Sequence, residues 1–170
     1  MTALATGTTA PAFDLKTLDG KLFSLSDTLS RGPVVLAFFK VSCPTCQYAF
    51  PFFERLYKAY GKNGVGLVGV SQNDAKETAS FAKEFGVTFP ILLDDTRSYP
   101  VSNAYGLTNV PTLFWIAPHE NGKDGEIELS SVGWVKAEFE QINRKMAEAG
   151  KAAPAAMFQP GDDVRDFRAG

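Results

Sequence analysis

The 170-residue chain is poor in the side chains that most often hold metals, with only two cysteines and one histidine. A closed zinc site takes four nitrogen or sulfur ligands. His119 is far in sequence from Cys43 and Cys46, so no metal site is expected within one copy of the chain. Basic residues are no commoner than acidic ones, 17 against 19, and they are scattered singly. That balance gives neither nucleic acid nor an acidic membrane a reason to bind. Long apolar runs are also missing: the strongest, Pro33–Phe39, is far short of a membrane span. The first eleven residues have neither the basic nor the long apolar stretch of a secretory leader. A cytoplasmic protein without membrane contact is expected, unless the chain is the trimmed form of an exported one. Internal repeats are absent, and the length suits one domain with a sizeable core.

What is present is a pair of cysteines at Cys-x-x-Cys spacing, Cys43-Pro44-Thr45-Cys46. As a structural staple the pair would do little. Loop entropy gives so short a ring at most about 1.9 kcal/mol, against ~3 kcal/mol for a 15-residue loop. Redox chemistry explains the pair better than stability does.

The surrounding pattern sets where the cysteines fall. Phe13–Leu15 and Lys21–Leu25 flank the Asp19-Gly20 turn signal of a short hairpin, and Ser26 or Asp27 could cap a helical turn after it. Val34–Phe39 is continuously apolar, as a strand buried on both faces must be. Over Pro44–Tyr60, Phe50, Phe53, Leu56, Tyr57 and Tyr60 recur at helical steps, with Pro51 expected to kink the helix. Further strands are expected over Gly64–Ser71, Phe89–Leu93, Thr112–Ala117 and Ile127–Val132. Helices are expected over Asp74–Phe85, with Asn73 or Asp74 near the cap, over Ser98–Tyr105, and over Lys136–Ala149 before Gly150. This order gives an α/β sandwich with a mixed central sheet flanked by helices. Residues 1–150 form the domain, and 151–170, which lack periodicity, are expected as a lightly packed or mobile tail.

Both cysteines thus lie where a buried strand turns into a helix. Cys43 at the helix N-terminus gains from unpaired backbone N–H groups and the helix dipole, which favour its thiolate. A fall in its pKa from ~8.5 to ~6.5 would raise the ionised fraction at pH 7 from about 3% to about three-quarters. Cys46, one turn on, would be more buried and protonated, ready to attack a mixed disulfide. Pro44 suits the first helical turn, where its missing N–H costs no bond.

These residues resemble the thioredoxin-like superfamily, and within it the redoxin branch of TlpA-like thiol–disulfide oxidoreductases and peroxiredoxins. The resemblance runs from residue 11 to about 148. It rests on Cys43-Pro-Thr-Cys46, Phe50-Pro51, Phe89-Pro-Ile-Leu-Leu-Asp94, Tyr105-Gly-Leu and Val110-Pro-Thr112. It implies a thioredoxin-like fold with an N-terminal hairpin and an extra strand–helix unit between the dithiol and Val110. It further implies a cis Pro111 beside the dithiol, with Val110, Pro44 and Thr45 helping to bind the substrate. The alternative for Pro111 is an ordinary trans proline at a strand start. No cofactor is implied beyond the reversible Cys43–Cys46 disulfide. Partners would be protein or small-molecule thiols and disulfides, with an outside reductant or oxidant to reset the pair.

Three departures from the family pattern mark the site. Ala37 stands where thioredoxins carry a buried acid, Ala49 where cytochrome-maturation relatives often carry glutamate, and Ser42 where tryptophan usually precedes the dithiol. No proton acceptor for Cys46 is evident. Lys40 could hold the Cys43 thiolate electrostatically, or be a solvated lysine at a strand end. His119 reads as surface, Asp94-Asp95 as a capped strand end, and Trp115 and Trp134 as packing residues. Tyr48 could line the groove or simply pack.

Dithiol–disulfide exchange is the leading function, with Cys43 attacking and Cys46 resolving. A peroxidase of the peroxiredoxin type is the first alternative. It normally needs a proline seven residues and Thr or Ser three residues before its reactive cysteine. Phe39 and Cys43 hold those places before Cys46, and Leu36 and Lys40 before Cys43. A non-enzymatic binding module of the same fold is the second alternative.

Overall fold

The computed structural model describes residues 2–170. The chain begins with the expected hairpin, β1 (Asp14–Lys16) antiparallel to β2 (Leu22–Ser24). Helix α1 (Leu25–Leu29) follows directly. Its cap is Ser24 rather than Ser26 or Asp27, and the Ser24 hydroxyl accepts from the Asp27 amide at 3.3 Å. The helix starts two or three residues earlier than expected because Leu25 is needed in the core, where it is buried beside Leu29.

The central sheet has five strands: β3 (Val34–Phe39), β4 (Gly66–Ser71), β5 (Ile91–Leu93), β6 (Thr112–Pro118) and β7 (Gly125–Val132). Their spatial order is β5-β4-β3-β6-β7, with β3, β4 and β5 parallel and β6 and β7 antiparallel to their neighbours. Strands β4 and β5 are shorter than their apolar runs, because Val65 and Phe89 pack into the core outside the ladder.

The remaining elements are α2 (Pro44–Tyr60), α3 (Ala75–Glu84), α4 (Pro100–Ala104), β8 (Trp134–Val135), α5 (Lys136–Ala149) and β9 (Phe167–Arg168). Helix α2 runs through Pro51 as one 17-residue element. Asp74 is the cap of α3, its carboxylate accepting from the Glu77 amide at 2.9 Å.

Strand β3 explains the layering. All six of its side chains are buried, yet they alternate between two separate cores. Val35, Ala37 and Phe39 meet α2, α3 and α5 on one face. Val34, Leu36 and Phe38 meet α1, α4, the hairpin and the N-terminal segment on the other. A strand covered on both faces has no polar positions, which is why its sequence does not alternate. The three layers form a thioredoxin-like α/β sandwich with a mixed sheet.

Of the two expectations for residues 151–170, light packing is the one seen: most of these residues are exposed, and the segment folds back over α2 and the start of α5 through a few anchors. Met157 is buried, and Phe158 packs against Phe52, Trp134 and Phe139 with ring centres 5.5, 6.4 and 5.3 Å away. Arg55 holds Asp162 through two bonds of 2.7 and 3.1 Å and also donates to the Met157 carbonyl at 2.6 Å. Farther on, β9 pairs antiparallel with β8. A segment without periodicity can still dock when its partners are single aromatic rings and backbone groups rather than a repeating face.

Candidate active site

The turn from β3 into α2 is fixed before any thiol chemistry is considered. The Val41 amide donates to Asn73 Oδ1 at 3.0 Å, and Gln47 Nε2 donates to the Val41 carbonyl at 2.9 Å. Cys43 is the N-cap of α2, with extended backbone, and Pro44 takes the first helical turn. An N-cap normally offers an oxygen to the free amides. Here the Cys43 sulfur does so, accepting from the Cys46 amide at 3.1 Å.

The two thiols differ sharply in setting. Cys43 is half-buried and Cys46 is fully buried, and both are free. The Cys46 thiol donates to Cys43 Sγ, and the Cys46 and Thr45 amides add to it. Arg168 supplies a more distant positive charge. Against partial burial, these pull the Cys43 pKa down to about 6. Burial, reinforced by the neighbouring Cys43 thiolate, pushes Cys46 far up. One sulfur is thus held as thiolate and the other as thiol, so the pair is asymmetric at neutral pH.

The loop between α4 and β6 closes the site. The Val110–Pro111 peptide is cis, and Pro111 is buried. The Val110 carbonyl accepts from Cys43 Sγ at 3.3 Å, a contact that exists only while that sulfur is protonated. Thr112 Oγ1 donates to the Asn109 carbonyl at 2.7 Å and holds the loop's turn. Next to Val110 opens a cleft of about 200 Å³ lined by Lys40, Gln72, Tyr99, Asn103 and Asn109.

Of the residues singled out from sequence, Cys43, Cys46, Pro44, Thr45, Val110 and Pro111 come together around one sulfur. Pro44 is exposed beside it. Thr45 is buried, and its hydroxyl donates to the Ala169 carbonyl of the tail at 2.6 Å. Lys40 is exposed and lines the neighbouring cleft. Arg168 is the cation whose charge bears on Cys43, the smallest of the influences that lower its pKa. The Arg168 guanidinium lies 4.7 Å from the Tyr48 ring centre, which places Tyr48 at the site's edge. No sequence signal links Arg168 to the dithiol, since only tail docking brings it there. His119 pairs with Asp124 on the β6–β7 turn, remote from the dithiol. Asp94 is buried at the end of β5 and ties it to α4, accepting from the Ser102 amide and hydroxyl at 2.8 and 2.7 Å. Among the described residues, no three His, Cys, Asp or Glu side chains gather as a metal site, and no helix is long and apolar enough to cross a membrane.

A low-pKa cysteine at a helix N-terminus, a buried thiol one turn on and a cis-proline loop facing both define a dithiol oxidoreductase of thioredoxin-like fold. Comparison with known proteins agrees. The AhpC/TSA family model matches residues 6–123, and the chain belongs to that family. It is similar to the thiol-disulfide oxidoreductase ResA of Geobacillus thermodenitrificans, 41% identical over 123 residues, covering 72% of this chain and 68% of the relative. The ResA of Geobacillus kaustophilus is 38% identical over 138 residues, 81% of this chain and 75% of the relative. Among solved structures, a thiol:disulfide interchange protein of the thioredoxin family from Chlorobium tepidum superposes with a TM-score of 0.66 at 26% identity. It covers 87% of this chain and 99% of that one. The chain is a thiol–disulfide oxidoreductase acting on protein thiols or disulfides.

Proposed function

We propose that Cys43 is the attacking thiolate and Cys46 the resolving thiol. The carrying observation is their asymmetry: a half-buried Cys43 sulfur at the cap of α2, accepting from the Cys46 amide, against a fully buried Cys46 thiol one turn on. In the reducing direction, Cys43 S⁻ attacks one sulfur of a partner disulfide. A Cys43–partner disulfide forms and the other partner sulfur leaves as thiolate. Cys46 then loses its proton and attacks Cys43 Sγ, releasing the second partner thiolate and forming the Cys43–Cys46 disulfide. Two electrons pass to the partner, and an external dithiol restores the pair. Oxidation of a partner dithiol is the same sequence reversed.

The cis-proline loop supports a substrate role for Val110, whose carbonyl faces Cys43, and for Pro111 behind it. Small thiols and disulfides are included among the partners, and cytoplasmic residence is part of the proposal. A peroxidase is less well supported, because Cys46 is sealed from solvent and Lys40 and Leu36 flank Cys43 at the positions noted above. The test is trapping in cells with the full chain. Cys46→Ser should accumulate mixed disulfides through Cys43, and the doubly substituted Cys43→Ser, Cys46→Ser chain should accumulate none. Equal trapping by Cys43→Ser alone would reverse the roles, and no adduct with either would sink exchange chemistry.

A further inference from the structure

The last five residues, 166–170, lie across the face of the dithiol that a partner would approach. The Ala169 carbonyl accepts from Thr45 Oγ1, between the two cysteines. The Gly170 carbonyl accepts from Asn109 Nδ2 at 3.3 Å, beside the cis-proline loop. Gly170 lies so close to that loop that a Cβ on it would stand 2.7 Å from the Val110 carbonyl oxygen. The segment therefore spans from the α2 cap to Val110, the two walls that flank Cys43.

The tail is attached in two parts of unequal strength. Residues 157–165 are anchored by apolar and charged contacts: buried Met157, Phe158 among aromatic rings, and Asp162 on Arg55. The Tyr48 hydroxyl donates to the Asp163 carbonyl and accepts from the Arg165 amide, both at 2.8 Å, and Trp134 Nε1 donates to the Arg165 carbonyl at 2.7 Å. Beyond Arg165 the character changes. Residues 166–170 bury almost no apolar surface, and Phe167 is 63% exposed. They are held by the β8 backbone, the Lys136 amide on the Asp166 carbonyl at 2.9 Å, Thr45, Asn109 and the stacking of Arg168 on Tyr48. Exposed backbone bonds without apolar burial are the kind that open locally.

We propose that residues 166–170 occupy the peptide subsite of this active site as a displaceable internal strap. Small disulfides reach the half-buried Cys43 with the strap in place, and an extended polypeptide must lift it first. Arg168 travels with the strap, so displacement also withdraws a positive charge that favours the Cys43 thiolate. The proposal rests on the exchange chemistry above but makes a separate claim about which partners enter.

The test uses the full chain carrying Cys46→Ala, so that a mixed disulfide at Cys43 is stable. One sample bears a cysteine-containing decapeptide, the other 2-mercaptoethanol, and amide hydrogen exchange is read at Lys136 and 166–170. Loss of protection in the peptide adduct alone is the expected result. Equal protection in both adducts would overturn the strap. A second measurement needs no adduct: in the chain with both cysteines, Gly170→Val places side-chain atoms against the Val110 carbonyl and loosens the strap while Arg168 is kept. Its rate with a peptide disulfide should rise about tenfold (1.4 kcal/mol), while that with hydroxyethyl disulfide stays within about twofold. Parallel changes with both substrates would refute the subsite assignment and leave the dithiol chemistry standing. Failure of the unsubstituted chain to react with either disulfide would instead strike the exchange chemistry itself.

Discussion

Because the Cys46 thiol is the largest influence lowering the Cys43 pKa, removing it should be visible in a titration. With a pKa of about 6, Cys43 is about nine-tenths thiolate at pH 7, against about 3% for an ordinary cysteine near 8.5. That is roughly a thirtyfold gain in the reactive form. Intrinsic nucleophilicity falls with pKa at a Brønsted slope of ~0.5, which takes back a factor of about eighteen. The net gain in attack is therefore small, about twofold. The larger consequence is that Cys43 leaves well when Cys46 attacks it.

The assay is the rate of Cys43 alkylation by iodoacetamide from pH 4 to 10, with the buried Cys46 unreactive. The intact chain should give a midpoint of about 6. In Cys46→Ala the midpoint should move up toward the ordinary thiol value but stop short of it, because the Thr45 and position-46 amides remain. The same shift acts on folding. A cysteine whose pKa is lowered on folding stabilises the folded state fully above its unfolded value near 8.5, and that contribution is lost as pH falls through about 6. The nominal size is ~3 kcal/mol, which solvent screening of a half-exposed sulfur reduces to roughly 1 kcal/mol. Urea unfolding of the reduced chain at pH 6 and 8.5, set against Cys43→Ser, isolates it. An alkylation midpoint near 8.5 in the intact chain, or no movement in Cys46→Ala, would refute the reasoning.

Two further outcomes concern the docked tail. Trp134 is buried among Tyr48, Phe52, Phe139 and Phe158, so Trp134→Ala should cost about 3–5 kcal/mol in denaturant unfolding. Trp134→Phe should cost less, with loss of the bond to the Arg165 carbonyl worth about 1 kcal/mol, and a full-sized loss there would mean that the bond dominates packing. The Arg55 guanidinium holds the Asp162 carboxyl at about 2. Its stabilising effect is therefore present above the ordinary aspartate range and lost as pH falls through about 2. Asp162→Asn should lower the melting temperature at pH 7 and flatten the loss of stability between about pH 4 and 2. An unchanged acid profile would show that the Arg55–Asp162 bond does not hold the tail.

Much of the architecture was legible in the chain because it depends on local signals. Val34–Phe39, Pro44–Tyr60 and Lys136–Ala149 are the observed β3, α2 and α5. Each carries its own periodicity or composition, and Pro44 and Gly150 mark helix ends. The dithiol was legible for the same reason, since Cys43 and Cys46 are three residues apart on one helical turn. What spacing could not supply is whatever depends on distant chain segments. The shorter β4 and β5 follow from which residues a neighbouring strand can reach, and the Ser24 cap from the demand for Leu25 in the core.

The tail is the clearest case. Residues 151–170 carry no helix or strand period because their partners do not repeat: a cluster of rings around Phe158, one guanidinium, scattered hydroxyls and two residues of β8 edge. Sequence alone determined that two cysteines at the start of a helix would do thiol chemistry, because backbone amides at a helix N-terminus act within a single turn. Tertiary structure alone decided that the charge of Arg168 bears on the thiolate, and that residues 169 and 170 reach Thr45 and Asn109 beside it. Charge and coverage at a site depend on distance in space, and here that distance is set by a docking more than a hundred residues away in sequence.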